Sequence, residues 1–326
     1  MPRVLLLDRA APDPAILAEA AAVLARGGLV AFPTETVYGL GARGLHADEV
    51  AKIFVAKGRP PGHPVILHVD GIAMARSLAA AWSAAADALA TAFWPGPLTL
   101  VVPRGERVPP EVSGGSPTVG IRMPADAIAR ELIRIVGEPL AAPSANAHLH
   151  VSPTTAEHVV RSLGDRVDLV LDGGPCIHGI ESTVLAVEHR LVLRPGAVSL
   201  EALRRVLPDV ADGTAVLTGD DVRASPGMAA KHYAPRKDVI LVPRASFRAI
   251  HDRLASERRV LAIVAAARVP GAIVLPDSPD GYAHGLFAAL HEADAAEADL
   301  IVIEDVPRED PEWWAVADRL ARASRR

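Results

Sequence analysis

Apolar residues in this sequence arrive in short unbroken runs, and that rhythm rules out most architectures. Leu29 to Phe32, Val65 to Val69, Leu98 to Val102, Val119 to Ile121, Pro139 to Ala142 and Leu169 to Leu171 are each flanked by turn-forming residues or by helical spacing. Runs this short do not sustain a helix, and without polar alternation they fit strands covered on both faces. Between them, Asp13-Pro14, then Ile16, Leu17, Ala20, Val23 and Leu24, then Gly27-Gly28 give a cap, a first-turn proline, one apolar stripe and a stop. Val50, Ile53 and Phe54 predict a helix ending near Lys57-Gly58, where Pro60 and Pro61 forbid continuation. Ser152-Pro153 reads as the cap of a helix to about Leu163. Ser182 to Val187 and Leu191 to Arg194 flank Glu188-His189-Arg190 as a closing hairpin, so the sheet is expected to be mixed and the fold class α/β.

A chain of 326 residues, 50% of them hydrophobic, can bury more than one ordinary core. Its first domain is expected over 1–207. From 208 to 236 periodicity lapses and Gly213, Gly219, Pro226, Gly227 and Pro235 punctuate a linker. That stretch is too long for a plain connection, and Ser225-Pro226-Gly227-Met228 with His232-Tyr233-Ala234-Pro235 favours a working role. Over 237–326 the runs Val239 to Val242, Val260 to Val264, Ala272 to Leu275 and Leu300 to Ile303 alternate with helices from Phe247, Tyr282 and Trp313, giving a smaller second α/β unit.

Composition removes several functions. A net charge of -5 and 4% aromatic residues supply neither the basic field nor the stacking surface of a nucleic-acid module, so no stable nucleic-acid binding is expected. One cysteine, Cys176, excludes an internal disulfide and a thiolate-cluster zinc site. The apolar run after Met1 meets Asp8 at once, and Ala79 to Ala92 carries Ser83 and Asp87, so neither a secretion signal nor a membrane span is expected. A cytoplasmic protein fits these traits.

Several polar clusters could carry chemistry. Lys57-Gly58-Arg59-Pro60 sets two cations at a helix end, as the macrodipole alone would favour or as a clamp on polyphosphate would need. Pro33-Thr34-Glu35-Thr36-Val37-Tyr38-Gly39-Leu40-Gly41 is a hydroxyl-rich loop after a buried strand, where open α/β sheets collect ligands. Arg122, in Gly120-Ile121-Arg122-Met123-Pro124, suits a bidentate grip on a small carboxylate or a surface ion pair. Ala141-Ala142-Pro143-Ser144-Ala145-Asn146 offers a close backbone approach with polar side chains, or simply a turn; Ile180-Glu181-Ser182-Thr183-Val184 repeats the theme. No Gly-x-x-x-x-Gly-Lys-Ser/Thr phosphate loop and no metal box occurs, and His148 and His150 read as a solvated loop.

Taken in order with Phe93-Trp94-Pro95-Gly96-Pro97-Leu98-Thr99, Arg194-Pro195-Gly196 and His232-Tyr233, these segments resemble the YrdC-type threonylcarbamoyl-AMP synthases, in the long form with an appended C-terminal domain. The resemblance spans nearly the whole chain. It implies a YrdC-like twisted mixed sheet with helices, plus a smaller Rossmann-like C-terminal domain. It also implies a nucleotidyltransferase that makes threonylcarbamoyl-AMP and pyrophosphate from L-threonine, bicarbonate and ATP, with Mg²⁺ accompanying ATP and no protein-bound metal site. The product would pass to a tRNA threonylcarbamoyl transferase. By position, Lys57, Arg59, His63, Thr118, Ser144, Asn146, Ser152, Arg194, His232 and Tyr233 would bind ATP, with Lys57, Arg59, Ser144 and Asn146 nearest the chemistry. Thr36, His68, Arg122, Ala142 and Ser182 would bind L-threonine, and the linker would cover the site. The chain departs from the family pattern at His63, usually asparagine, and at Leu149 and His150, usually Ser-Gly. A carbamoyl-adenylating or carbamoyl-transfer enzyme with another acceptor, or a noncatalytic RNA-binding protein, are the competing readings.

Overall fold

The computed structural model describes residues 1–214 and 233–325. It divides into two compact units. The first comprises residues 1–148, 153–177 and 181–214; the second comprises 149–152, 178–180 and 233–325. Two short stretches from within the span expected for the first domain therefore belong to the second unit.

The first unit is built on an eleven-stranded sheet among the described residues. In chain order its strands are β1 (Arg3–Leu6), β2 (Val30–Phe32), β3 (Gly39–Arg43), β4 (Ile66–His68), β5 (Leu98–Pro103), β6 (Thr118–Arg122), β7 (Leu140–Ala141), β8 (Leu169–Asp172), β9 (Thr183–Ala186), β10 (Leu191–Arg194) and β11 (Ala211–Asp212). They lie in the order β1-β8-β2-β3-β7-β4-β6-β5-β9-β10-β11. Parallel pairs such as β4 with β6 alternate with antiparallel pairs such as β5 with β6 and β9 with β10, so the sheet is mixed and the expected hairpin is present.

Three strands, β1, β3 and β11, lie where the sequence predicts none. β1 is an edge strand paired, among the described residues, only with β8, and its Val4 and Leu6 stay exposed. β3 corrects the expectation of a loop through Gly41: it pairs antiparallel with β2, Phe32 opposite Gly39 and Val30 opposite Gly41. A Cβ on Gly41 would stand 2.6 Å from Phe32 Cε1, so the glycine leaves room for the neighbouring ring rather than making a turn. β11 also carries the sheet beyond Leu207, the expected domain end.

Helix signals were truer. The helix Pro14–Ala25 is capped by Asp13, whose carboxylate accepts from Ala15 N at 2.8 Å. With the helix Ala127–Val136 it covers a core of Leu17, Leu24, Val30, Phe32, Leu132, Leu140 and Leu169. The helix Ala47–Lys57 stops at Gly58, which takes φ 60°. Ser152 is not a cap: the helix begins at Ala156, and the Thr155 hydroxyl accepts from His158 N.

The second unit holds a four-stranded parallel sheet, β12 (Asp238–Val242), β13 (Val260–Val264), β14 (Ile273–Val274) and β15 (Leu300–Glu304), in the order β12-β15-β13-β14. Helices Phe247–Glu257, Pro279–Ala295 and Trp314–Ala323 accompany it. Parallel strands, with helices between β12 and β13 and between β14 and β15, make it Rossmann-like. Glu304 ends the fully buried central strand, and its carboxylate accepts from the backbone N–H groups of Ala265, Ala266 and Ala267 at 2.8 to 3.1 Å.

Candidate active site

The two loops singled out at Thr34–Gly41 and Ala141–Asn146 are brought together by β3 and β7. Gly39 and Ser144 form an antiparallel bridge, Leu40 N donates to Pro143 O and Ala145 N to Tyr38 O, both at 2.8 Å. Lys57 secures the same turn. The residue is 4% exposed, and its ammonium donates to the backbone carbonyls of Ser144 and Asn146, the latter at 2.6 Å. Two of its three donors thus go to the protein, and its pKa is held well below the ordinary lysine value by burial and then by Arg59 and Arg166. Its first task is to fix the Ser144-Ala145-Asn146 turn.

Around that turn the Arg59 guanidinium donates to Pro64 O at 3.0 Å and lies 5.8 Å over the Phe54 ring. Asn146 is buried, with Nδ2 donating to Ala147 O at 3.0 Å. The His63 ring sits 5.7 Å from that of His148. Thr118 opens β6 with its hydroxyl 3.0 Å from Ser116 Oγ.

The other end is assembled by β4, β6 and the loop after β2. In the parallel register His68 faces Arg122. Arg122, 4% exposed, is held on three sides: Nε donates to Gly96 O at 3.2 Å, Nη1 donates to Thr36 Oγ1 at 2.9 Å, and Nη2 forms an ion pair with Glu35 Oε1 at 2.6 Å. Thr34 gives its own hydroxyl proton to Val37 O, so the Thr36 hydroxyl, 2.8 Å away, donates to Thr34 while accepting from Arg122. Burial and then the Arg122 charge push His68 down to about 3, so the imidazole is neutral at ordinary pH. Burial works to raise the Glu35 pKa, but the adjacent guanidinium, helped by the backbone N–H groups of Glu35 and Ala125, outweighs it and keeps the carboxyl below its usual value. This end therefore holds one positive and one negative charge in a dry setting. Ala142 is buried beside it, its N–H donating to Ile66 O at 3.0 Å.

A third strand end adds Ser182 and Arg194. Arg194 donates through Nε to Ser182 O and through Nη2 to Ser182 Oγ, both at 3.1 Å, and the Ser182 hydroxyl lies 2.8 Å from that of Thr99 on β5. The close approach needs Gly196, where a Cβ would fall 2.3 Å from Thr183 N.

Ser152 and Tyr233 lie in the second unit. Ser152 O accepts from His291 Nε2 at 3.1 Å, and the Tyr233 ring is buried 5.5 Å from Phe287 and 5.1 Å from the Arg319 guanidinium. His232 lies outside the described residues. Leu149 adopts φ 69°. Glu35, Thr99 and Asp126 were passed over by residue reading; Glu35 and Thr99 stood inside quoted motifs, but their partners are distant in sequence. Among the described residues no group of three or more His, Cys, Asp or Glu is placed to hold a metal ion, and no helix is long and apolar enough to cross a membrane.

Comparison with known proteins identifies the family. A family model described as telomere recombination, the Sua5/YciO/YrdC family, matches residues 22–196, and one described as threonylcarbamoyl-AMP synthase, C-terminal domain, matches 198–325. The threonylcarbamoyl-AMP synthase of Pyrococcus abyssi is 40% identical over 94% of this chain and 93% of its own length. That of Bacillus subtilis is 38% identical over 96% and 93%. The crystal structure of Pyrococcus abyssi Sua5 complexed with L-threonine superposes with a TM-score of 0.92 at 36% identity, covering 98% of this chain and 97% of that one. With both family models matched in tandem and full-length relatives in two organisms, the chain belongs to the threonylcarbamoyl-AMP synthase family.

Proposed function

We propose that this protein makes threonylcarbamoyl-AMP and pyrophosphate from L-threonine, bicarbonate and ATP, as a nucleotidyltransferase supplying threonylcarbamoyladenosine modification of tRNA. The observation that carries the reading is the buried Arg122, held by Glu35, Thr36 and Gly96 with N–H groups to spare and faced by a neutral His68. A fixed guanidinium in a dry setting suits a small carboxylate. Thr36, His68, Arg122, Ala142 and Ser182 form the amino-acid end. Lys57, Arg59, His63, Thr118, Ser144, Asn146 and Arg194 form the nucleotide end, with Ser152, His232 and Tyr233 assigned to the nucleotide by position.

The reaction asks for placement more than for a nucleophile. The threonine amine captures the bicarbonate carbon with loss of water to give a carbamate. A carbamate oxygen then attacks the α-phosphorus, and pyrophosphate leaves. Holding both substrates in line and balancing charge supplies most of what such a transfer needs. The Lys57-anchored turn keeps Ser144 and Asn146 in a set geometry. Mg²⁺ arrives with ATP as part of that substrate, neutralising phosphate charge. The product is labile and goes to a tRNA threonylcarbamoyl transferase in the cytoplasm.

The test is direct. Purified protein is incubated with ATP, Mg²⁺, bicarbonate and L-threonine, and pyrophosphate is followed. Release is expected only when threonine and bicarbonate are both present; release without threonine overturns the proposal.

A further inference from the structure

We infer that Glu35 is the acceptor for the α-ammonium group of the amino-acid substrate, which makes the Arg122–Glu35 pair a receptor for a zwitterion rather than for a carboxylate alone. This rests on the reading of the Arg122 end as the threonine site. The Glu35 side chain is 2% exposed and lies against Arg122 at 2.6 Å. The backbone N–H groups of Glu35 and Ala125 help to lower its pKa, yet among the described residues neither carboxylate oxygen, nor Arg122 Nη2, has a well-directed hydrogen-bond partner. A buried carboxylate held by charge but not saturated by donors is costly unless something completes it. An ammonium group brings three donors and a positive charge.

The other groups at this end cannot take that part. His68 is neutral at ordinary pH, and the Thr36 hydroxyl is already accepting from Arg122. Ser182 accepts from Arg194 and pairs with Thr99. Asp126, the next carboxylate, spends Oδ1 on capping the helix Ala127–Val136 through Ile128 N and Ala129 N; its Oδ2 also lacks a well-directed donor, but it is paired with Arg9 at 2.7 Å and not with Arg122. Arg122 and Glu35 side by side present a positive and a negative charge in the arrangement that mirrors the carboxylate and ammonium on one α-carbon. An α-hydroxy acid of the same shape would satisfy Arg122 and leave Glu35 bare.

The experiment is calorimetric titration of the wild type and of Glu35→Gln with L-threonine and with 2,3-dihydroxybutanoate, which carries a hydroxyl in place of the ammonium. Wild type is expected to bind threonine at least roughly tenfold more tightly than the hydroxy acid, and Glu35→Gln to lose roughly ten- to a hundredfold toward threonine while holding or gaining affinity for the hydroxy acid. Equal loss of both ligands, or no loss of threonine, overturns the inference while leaving threonine as the substrate. A wild type that fails to bind threonine overturns the site reading itself. If Glu35→Gln does not fold, the wild-type comparison decides alone: equal affinity for the two ligands contradicts a role for Glu35 toward the ammonium.

Discussion

Two glutamates, one in each unit, are equally buried at 2% exposure and could hardly be held more differently. Glu304 is met by three backbone N–H groups from Ala265 to Ala267, so its charge is balanced by donors that cannot leave. Glu35 is met chiefly by one guanidinium; its own N–H and that of Ala125 help to lower its pKa, but neither oxygen has a well-directed donor. A buried carboxylate closed off by backbone builds a loop, whereas one left open marks a place where chemistry enters. In a Rossmann-like unit, backbone N–H groups just beyond a strand are a common anion seat. Here the protein's own carboxylate occupies that seat, which assigns the second unit's loop to architecture.

Substitutions can break or sharpen this contrast. The largest effect is expected for Arg122→Ala, which strands the Glu35 carboxylate: about 3–5 kcal/mol of stability lost in urea unfolding, with threonine-dependent turnover abolished. A loss below about 1 kcal/mol would mean that Glu35 does not depend on Arg122. Next, Glu304→Ala leaves three N–H groups unmet and is expected to cost about 1–3 kcal/mol, with the KM for threonine unchanged. A raised threonine KM in that variant would erase the distinction between the two glutamates.

The charge balance at the Arg122 end gives a pH signature. Burial holds the His68 pKa at about 3 in the folded chain, against the ordinary 6.5 of an exposed imidazole. The unfolded chain therefore takes up a proton across that window and the folded chain does not, so stability present above pH 6.5 is lost as pH falls toward 3. The slope is about 1.4 kcal/mol per pH unit, and His68→Gln is expected to flatten the acid limb of the stability curve by that amount. An unchanged limb contradicts a neutral, buried imidazole. The smallest effect concerns Leu149, a leucine at φ 69° whose carbonyl accepts from Ala234 N at 3.0 Å. Leu149→Gly is expected to gain about 0.5–1 kcal/mol in thermal unfolding, and a loss of similar size would show that side-chain packing outweighs backbone strain there.

The sequence was legible where one local rule decided the outcome. Asp13-Pro14 and Gly58 set helix ends, and continuous apolar runs became β4, β5, β6 and β8, because capping and burial are read over a few residues. Local rules failed where packing decided. β3 looked like a glycine-rich loop because its glycines serve the Phe32 ring on another strand. Thr155, not Ser152, caps its helix, although both present a hydroxyl before the same apolar stripe. In the site, the residue types at Lys57, Thr36, Arg122 and Ser144 pointed toward phosphate and carboxylate chemistry. The partners did not: that Lys57 grips the Ser144 turn and that Glu35 faces Arg122 follow from strand order, which joins segments no spacing rule connects.

In the proposed function the site has two separable ends, a nucleotide end around Arg59 and an amino-acid end around Arg122. Its most direct test is the pair of KM values, for ATP and for threonine, measured in Arg59→Ala and in Arg122→Lys. Arg59→Ala is expected to raise the KM for ATP at least roughly tenfold with threonine little changed, and Arg122→Lys to do the reverse, because a lysine keeps the charge beside Glu35 but loses the planar fork. Both variants raising both KM values to the same degree would contradict it.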